Sequence, residues 1–99
     1  MTPKEWTFLT NHGRILVYVA MHPRTTTQQL AEKAGLSIRA VQHIITDLET
    51  AGYIERHKEG RRNSYVVHPE IPMRHRLEQE HTVGDVLHAL GYGKLKETT

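Results

Sequence analysis

Two short amphipathic segments separated by one glycine constrain the fold of this chain more than any other feature. The first segment is predicted to be a helix over residues 27–34, because Thr26 can cap it and Gln29 follows three residues later, as in a capping box. Gly35 ends this helix, since glycine adopts the left-handed conformation without a Cβ penalty. The sequence therefore predicts a short helix that stops abruptly.

The second segment begins at once, with Ser37 as the cap of a helix predicted over residues 38–51. Its apolar residues recur at helical spacing; they are Val41, Ile44, Ile45 and Leu48. Two helices joined by so tight a turn must cross steeply, which requires small side chains such as Ala31 at the contact. The two segments together predict a helix-turn-helix unit over residues 27–51.

The hydrophobic period changes from helical to strand-like directly after this unit. Residues 53–56 and 64–67 are rich in β-branched and aromatic side chains, which indicates two short strands. A seven-residue polar tip, residues 57–63, lies between them and is centred on Gly60. The pattern predicts a β-hairpin over residues 53–68 with a long loop.

Further helices are predicted on both sides of these elements. A helix over residues 12–21, with Asn11 as its cap, follows a short helical lead-in, and the sequence leaves open whether these form one bent helix or two. Thr82 caps a last helix at about residues 82–91. Between the hairpin and that helix, the polar residues 73–80 allow one more helical segment. All these elements are expected to form a single domain over residues 1–99.

The composition excludes several classes of function. The chain has no cysteine, so it cannot form a disulfide, a thiolate zinc site, an iron–sulfur cluster or a cysteine nucleophile. The longest apolar run, Ile15–Met21, is about a third of what a membrane span needs. With no signal-peptide pattern, we expect a cytoplasmic protein that does not contact a membrane. Phosphate-binding loops and nucleophile motifs are also absent from the sequence, so we expect neither enzymatic activity nor a cofactor.

The positive charge of the chain is concentrated near the hairpin tip. The formal net charge is only +2. Yet residues 56–62 contain four cations and a single acid, Glu59. The cations are Arg56, Lys58, Arg61 and Arg62. Such a cluster attracts polyanions, although the same residues would also suit a solvated loop.

The second helix of the helix-turn-helix unit has polar residues on the side opposite its apolar stripe. Arginine can hydrogen-bond to guanine O6 and N7 in the major groove, and glutamine to adenine N6 and N7. A small residue such as Ala40 would let the helix approach the bases. In isolation, this face would also fit an ordinary polar helix surface. The residues that we predict to read bases are Arg39, Ala40, Gln42, His43 and Thr46.

The order of these elements resembles the winged helix-turn-helix domain of the MarR and ArsR-type transcriptional regulators of bacteria and archaea. The resemblance covers roughly residues 12–90 and is carried by Gln29–Ser37, Val41–Leu48, Glu49–Arg56 and Gly60–Tyr65. It implies a mainly α fold with a three-helix core, a β-hairpin wing and an additional C-terminal helix. It also implies a regulator that binds double-stranded DNA sequence-specifically as a homodimer, with repression as the default mechanism.

By the same resemblance, the hairpin is the wing that contacts the DNA backbone. Phosphate contacts fix affinity and register but carry little sequence information. The backbone N–H groups of residues 25–28, at the start of a helix, could donate to a phosphate as well. The residues expected to contact the backbone are Thr26, Thr27, Ser37, Lys58, Arg61, Arg62 and Asn63.

Residues 69–99, after the hairpin, are few and mostly polar, so we expect no effector domain there, unlike in those regulators. The sequence specifies no small-molecule or protein effector. A dimer would have to use the terminal helices, which hold the remaining apolar residues. The predicted interface residues are Trp6, Leu9, Val86, Leu87 and Leu90, with closure of the monomer core as the alternative role for the same side chains.

Eight histidines suggest a metal-responsive ArsR-type regulator as an alternative. His81, Asp85 and His88 would share one face of a continuous helix, and imidazole and carboxylate groups suit zinc. However, a cap at Thr82 would leave His81 outside that helix, and a fourth ligand is missing, so no metal site is predicted. Solvated histidines, or histidines that tune DNA affinity with pH, fit the pattern better; His43 and His57 are the examples, because each would gain charge as the pH falls towards about 6.

A second alternative is a winged-helix module that contacts other proteins in a transcription or chromosome-organising complex. The exposed face of such a module is usually acidic or apolar. Here that face carries Arg39, Gln42 and His43 beside a basic hairpin. The sequence therefore favours double-stranded DNA as the partner.

Overall fold

The computed structural model describes residues 7–91 of the chain. It confirms the mainly α architecture with a β-hairpin and an additional C-terminal helix. Its elements, in chain order, are helices α1 (Asn11–Met21), α2 (Thr27–Ala34) and α3 (Ile38–Thr50), strands β1 (Ile54–Glu59) and β2 (Arg62–Val67), and helix α4 (Val83–Ala89). No helix within residues 7–91 combines the length and the apolar character that a membrane crossing requires.

The predicted caps of the three later helices are confirmed. Thr26 Oγ1 accepts the backbone N–H of Gln29 at 3.0 Å, and the Gln29 side chain accepts the N–H of Thr26 at the same distance. Ser37 Oγ accepts the backbone N–H three residues further on, at 3.0 Å. Thr82 and Asp85 form a second capping box. These local hydrogen bonds satisfy N–H groups that have no partner inside a helix.

The start of α1 differs from the sequence prediction. Thr10, not Asn11, is the cap, and its hydroxyl accepts the N–H of Gly13 at 3.1 Å. Asn11 lies inside the helix, where its side chain accepts a hydrogen bond from Arg14 at 2.8 Å. Residues 7–10 are not helical, and the rest of the predicted lead-in lies outside the described residues. The prediction placed the cap one residue late because threonine and asparagine both suit that position.

The core lies where α1, α2 and α3 meet the base of the hairpin. Its buried side chains form one cluster: Ile15, Leu16, Val19, Leu30, Ala31, Val41, Ile44, Ile45, Leu48, Tyr53, Ile54, Tyr65, Val83 and Leu87. The apolar stripe predicted for α3 is buried on one side, so its opposite side faces solvent. Burial also raises the pKa of Tyr53, whose hydroxyl donates to the Pro72 carbonyl at 3.0 Å.

The strands of the hairpin are longer, and its loop is shorter, than predicted. The two strands pair antiparallel from Ile54↔Val67 to Glu59↔Arg62, which leaves only Gly60 and Arg61 in the turn. Gly60 has φ +65° and Arg61 has a negative φ, as in a type II′ turn. The predicted seven-residue loop was wrong, because exposed strand positions near the tip carry the same polar residues as a loop.

The segment after the hairpin connects it to α4 through backbone hydrogen bonds. Residues 74–80 form bends and turns, so the helical segment that the sequence allowed there does not form. The N–H of Val83 donates to Ile71 O at 2.9 Å, and the N–H of Gly84 donates to Pro69 O at 2.8 Å. Helix α4 then ends at Ala89, before the predicted end near residue 91. This docking brings Leu87 into the core.

Candidate nucleic-acid interface

The solvent-facing side of α3 is polar and uncovered. Its N-terminal half is held by the Ser37 cap, and its apolar stripe fixes which residues point outward. Ala40 is partly exposed and leaves space beside the helix axis. The structure places the other four predicted base-reading residues together on this exposed side: Arg39, Gln42, His43 and Thr46.

The rest of the described chain leaves these polar side chains free of hydrogen bonds and ion pairs. No hydrogen bond or ion pair within residues 7–91 engages Arg39, Gln42 or His43. The two acids further along α3 are both bound instead. Asp47 contacts His12 of α1 at 2.8 Å, and Glu49 contacts Arg56 of β1 at 2.9 Å. The exposed face of α3 therefore keeps its donors available, and its nearest carboxylates are engaged elsewhere.

The tip of the hairpin carries three cations that are exposed and unpaired within the described part of the chain: Lys58, Arg61 and Arg62. Arg56, the fourth member of the predicted cluster, is bound to Glu49 at 2.9 Å near the base of the hairpin. Lys58 lies opposite Asn63 in the strand register. Because paired residues share a face of the hairpin, these two side chains point to the same side.

The start of α2 offers a narrower set of backbone donors than predicted. The capping box already uses the N–H groups of Thr26 and Gln29. Thr25 is buried, with 6% of its surface exposed. Thr27 and Gln28 occupy the first two helical positions, whose N–H groups have no partner inside a helix. Of the predicted range 25–28, these two amides are the ones available to a phosphate.

Two histidines bind a glutamate on the outer face of the hairpin, a cluster that the sequence analysis missed. Glu55 Oε2 lies 2.7 Å from His68 Nε2, and its Oε1 lies 3.0 Å from His57 Nε2. The hydrogen bonds from His68 and from His57 lower the pKa of Glu55 below its ordinary value. The alternation of side chains along β1 puts residues 55 and 57 on one face, but only the strand register brings His68 beside them.

Within the described residues, the metal-ligand candidates His81, Asp85 and His88 do not form a site. His81 Nδ1 lies 3.3 Å from Asp85 Oδ2, but His81 precedes the Thr82 cap and is therefore not part of the helix. The pKa of Asp85 is lowered mainly by the hydrogen bond from the backbone N–H of Thr82 and, to a smaller extent, by the hydrogen bond from the His81 ring. Within residues 7–91, no three His, Asp or Glu side chains are arranged to hold a metal ion. The carboxylate of Asp85 serves as part of a helix cap.

The predicted interface residues are divided between surface and core. Leu87 is fully buried in the monomer, so the interface role predicted for it was wrong and the alternative, closure of the core, applies. Leu9 and Val86 are partly buried, and Leu90 is 47% exposed. Leu9 and Leu90 line an apolar groove of about 380 Å³ between α1, α2 and the end of α4. Trp6 lies outside the described residues.

Residues 9–55 match the family model of winged helix-turn-helix DNA-binding domains. The chain therefore has the winged helix-turn-helix fold, in which α3 stands at the position of the recognition helix and the hairpin, residues 54–67, at that of the wing. The search of curated proteins found no match to the sequence.

Two solved structures share the fold. MepR, a transcription regulator of the Staphylococcus aureus multidrug efflux pump MepA, is 15% identical with a TM-score of 0.57 over 90% of this chain and 61% of its own. A mutant of ZitR from Lactococcus lactis is 17% identical with a TM-score of 0.59 over 99% of this chain and 62% of its own. The chain thus spans about three fifths of the length of both proteins.

Proposed function

We propose that this chain is a cytoplasmic transcriptional regulator of MarR or ArsR type, which binds a specific duplex DNA sequence as a homodimer and represses by occupying a promoter. One observation carries the proposal. Within residues 7–91, the recognition helix presents an exposed polar face whose side chains have no partner, and the wing of the same domain ends in three cations that form no ion pair. A base-reading element and a phosphate-binding element are the two parts that specific binding requires.

In this proposal the recognition helix enters the major groove and supplies the sequence specificity. Arg39 and Gln42 can each form paired hydrogen bonds to a purine edge, and Ala40 allows the close approach. His43 and Thr46 lie one turn further along the same face and extend the contact to neighbouring base pairs. The buried stripe behind this face holds all five residues at fixed positions.

The wing and two helix starts supply the affinity. Lys58, Arg61 and Arg62 neutralise phosphates and release counterions, while Asn63 hydrogen-bonds to the backbone. Three hydroxyl groups complete the set of backbone contacts. A hydroxyl that accepts a backbone N–H in a cap can still donate its own proton to a phosphate oxygen. These hydroxyls belong to Thr26, Thr27 and Ser37.

The proposed dimer buries the apolar surface around the end of α4. Leu9, Val86 and Leu90 form this surface, and Trp6, the other residue predicted for the interface, lies outside the described residues. A two-fold dimer would place two recognition helices on successive turns of one DNA face. The 47% exposure of Leu90 in the monomer supports this arrangement.

Selection of bound fragments from random duplexes tests DNA recognition and symmetry together. We expect an enriched palindrome whose half-sites lie about one helical turn apart. The double variant Arg39→Ala/Gln42→Ala should lose the enrichment, and Arg76→Ala, which removes an exposed cation from the turn after the wing, should keep it. Folded wild-type protein that enriches nothing and instead captures a protein partner would support the protein-interaction module.

Sedimentation of surface variants tests the dimer. Leu90→Glu should convert the wild-type dimer to a monomer, because it places a charge in the apolar interface. Leu77→Glu is the matched control, since Leu77 is 80% exposed on the turn before α4 and outside the proposed interface. A Leu90→Glu protein that keeps both its fold and the wild-type mass would show that this interface is wrong.

A further inference from the structure

The wing tip contains an acid, Glu59, at a position where a phosphate-binding hairpin would be expected to carry none. It is the last residue of β1 and pairs with Arg62 across the Gly60-Arg61 turn. It therefore lies among the three cations of the tip that form no ion pair with the described residues. A carboxylate there opposes the approach of a DNA phosphate, because like charges repel and a short separation limits screening.

The structure places one cation on this acid from outside the wing. Arg24 Nη2, in the loop between α1 and α2, lies 3.6 Å from Glu59 Oε1. Within residues 7–91, no other lysine, arginine or histidine is within ion-pair distance of Glu59. The two side chains are 76% and 47% exposed, respectively, so both remain accessible to an approaching polyanion.

The backbone around Arg24 is fixed to the wing. The N–H of Tyr65 in β2 donates to Pro23 O at 2.9 Å, which joins the loop to the edge of the hairpin. Thr25, on the other side of Arg24, is buried. The loop and the wing therefore form one unit, and the Arg24 guanidinium is directed along the hairpin toward its tip.

We propose that Arg24 neutralises Glu59 and thereby allows the wing tip to approach the DNA backbone. Arg24 is then a positioning residue: it acts on the phosphate contact through Glu59, and the cations of the tip make the contact itself. This inference rests on the proposed role of the wing in DNA binding. An exposed ion pair contributes little to folding stability, so the effect belongs to binding.

The test is a double-mutant cycle measured by DNA titration at several salt concentrations. The four proteins are the wild type, Arg24→Gln, Glu59→Gln and the double variant. Arg24→Gln should weaken binding about three- to tenfold at low salt, because Glu59 is left unneutralised near the phosphates. Glu59→Gln should bind at least as tightly as the wild type. The double variant should bind as Glu59→Gln does, because Arg24 has no role once the acid is gone.

Two results would overturn the inference. If Arg24→Gln weakens binding by the same factor with and without Glu59, Arg24 contacts a phosphate directly. If it weakens binding no more than Arg76→Gln, the loss reflects only the net charge of the chain. Thermal unfolding of all variants should match the wild type. A wild type that binds no duplex refutes the proposed function itself, a result distinct from failure of the cycle.

Discussion

The recognition helix and the wing lie next to each other but are held in different ways. Helix α3 is supported along its length by four buried side chains: Val41, Ile44, Ile45 and Leu48. In β1, by contrast, only Ile54 is buried, and every later residue of the strand is exposed. The wing is anchored at its base by Ile54 and Tyr65, and its tip extends into solvent.

This difference matches what each element would do on DNA. Reading a base edge requires donors held in a fixed geometry, which a helix packed on a core provides. Contacting a phosphate requires charge near a smooth polyanion and tolerates local movement. We therefore expect specificity to depend on α3 and affinity to depend on the wing.

The largest expected effect is on stability and comes from behind α3. Ile45→Ala should lower the free energy of unfolding by about 2–5 kcal/mol, because it removes buried methyl groups and leaves a cavity. Val66→Ala on the wing, where the side chain is 46% exposed, should cost less than about 1 kcal/mol. Urea denaturation measures both variants. Equal losses would mean that the wing is supported as firmly as the helix.

The next effect is on specificity. Arg39→Ala should weaken binding to the selected site by about 1–3 kcal/mol and weaken binding to unrelated duplexes much less, because it removes a base contact. Fluorescence anisotropy with both kinds of duplex gives the ratio. An equal loss on every duplex would move Arg39 from the base-reading set to the backbone-binding set.

A smaller and more uniform effect is expected from the wing. Arg61→Ala should weaken binding to all duplexes about equally and reduce the slope of log affinity against log salt by about one unit. Arg76→Ala provides the control, because it removes an exposed cation that lies outside the wing. If Arg61→Ala instead changed the preferred sequence, the wing would read bases as well.

The smallest expected effect is the pH dependence of wing stability through Glu55. Its folded-state pKa is lowered by hydrogen bonds from His68 and His57, so it stabilises the fold above the pKa of an unfolded glutamate. That stability should be lost as the pH falls through the lowered folded-state pKa. Near neutral pH, the free energy of unfolding should be larger for the wild type than for Glu55→Gln. This difference should disappear at acidic pH. A difference that stayed constant with pH would mean that Glu55 acts by packing alone.

Local sequence signals predicted much of the fold. Capping residues gave the starts of α2, α3 and α4, and helical spacing identified the buried stripe of α3. The same spacing identified the residues on its exposed side, because burial of one face of a helix fixes the other. These signals work since a cap and an apolar stripe are both properties of residues close together in the chain.

Contacts between distant residues were not predictable in the same way. The wing tip could be read as a loop or as exposed strands, and only the cross-strand register decides between them. Arg24 and Glu59 are far apart in sequence, as are Glu55 and His68, and no periodicity relates them. The role of Leu87 depended on how the segment after the wing docks, which backbone hydrogen bonds to Pro69 and Ile71 determine.

The amino-acid sequence by itself determined the helix-turn-helix unit, its exposed polar face and the cationic hairpin that follows it. Each of these is encoded by neighbours one helical turn or one strand period apart. Only the tertiary structure decided which charges of the hairpin remain unpaired, which acid Arg24 neutralises, and which apolar residues of α4 are left at the surface. Those outcomes depend on distances between side chains that are far apart in the sequence. Only the folded chain brings such side chains close together.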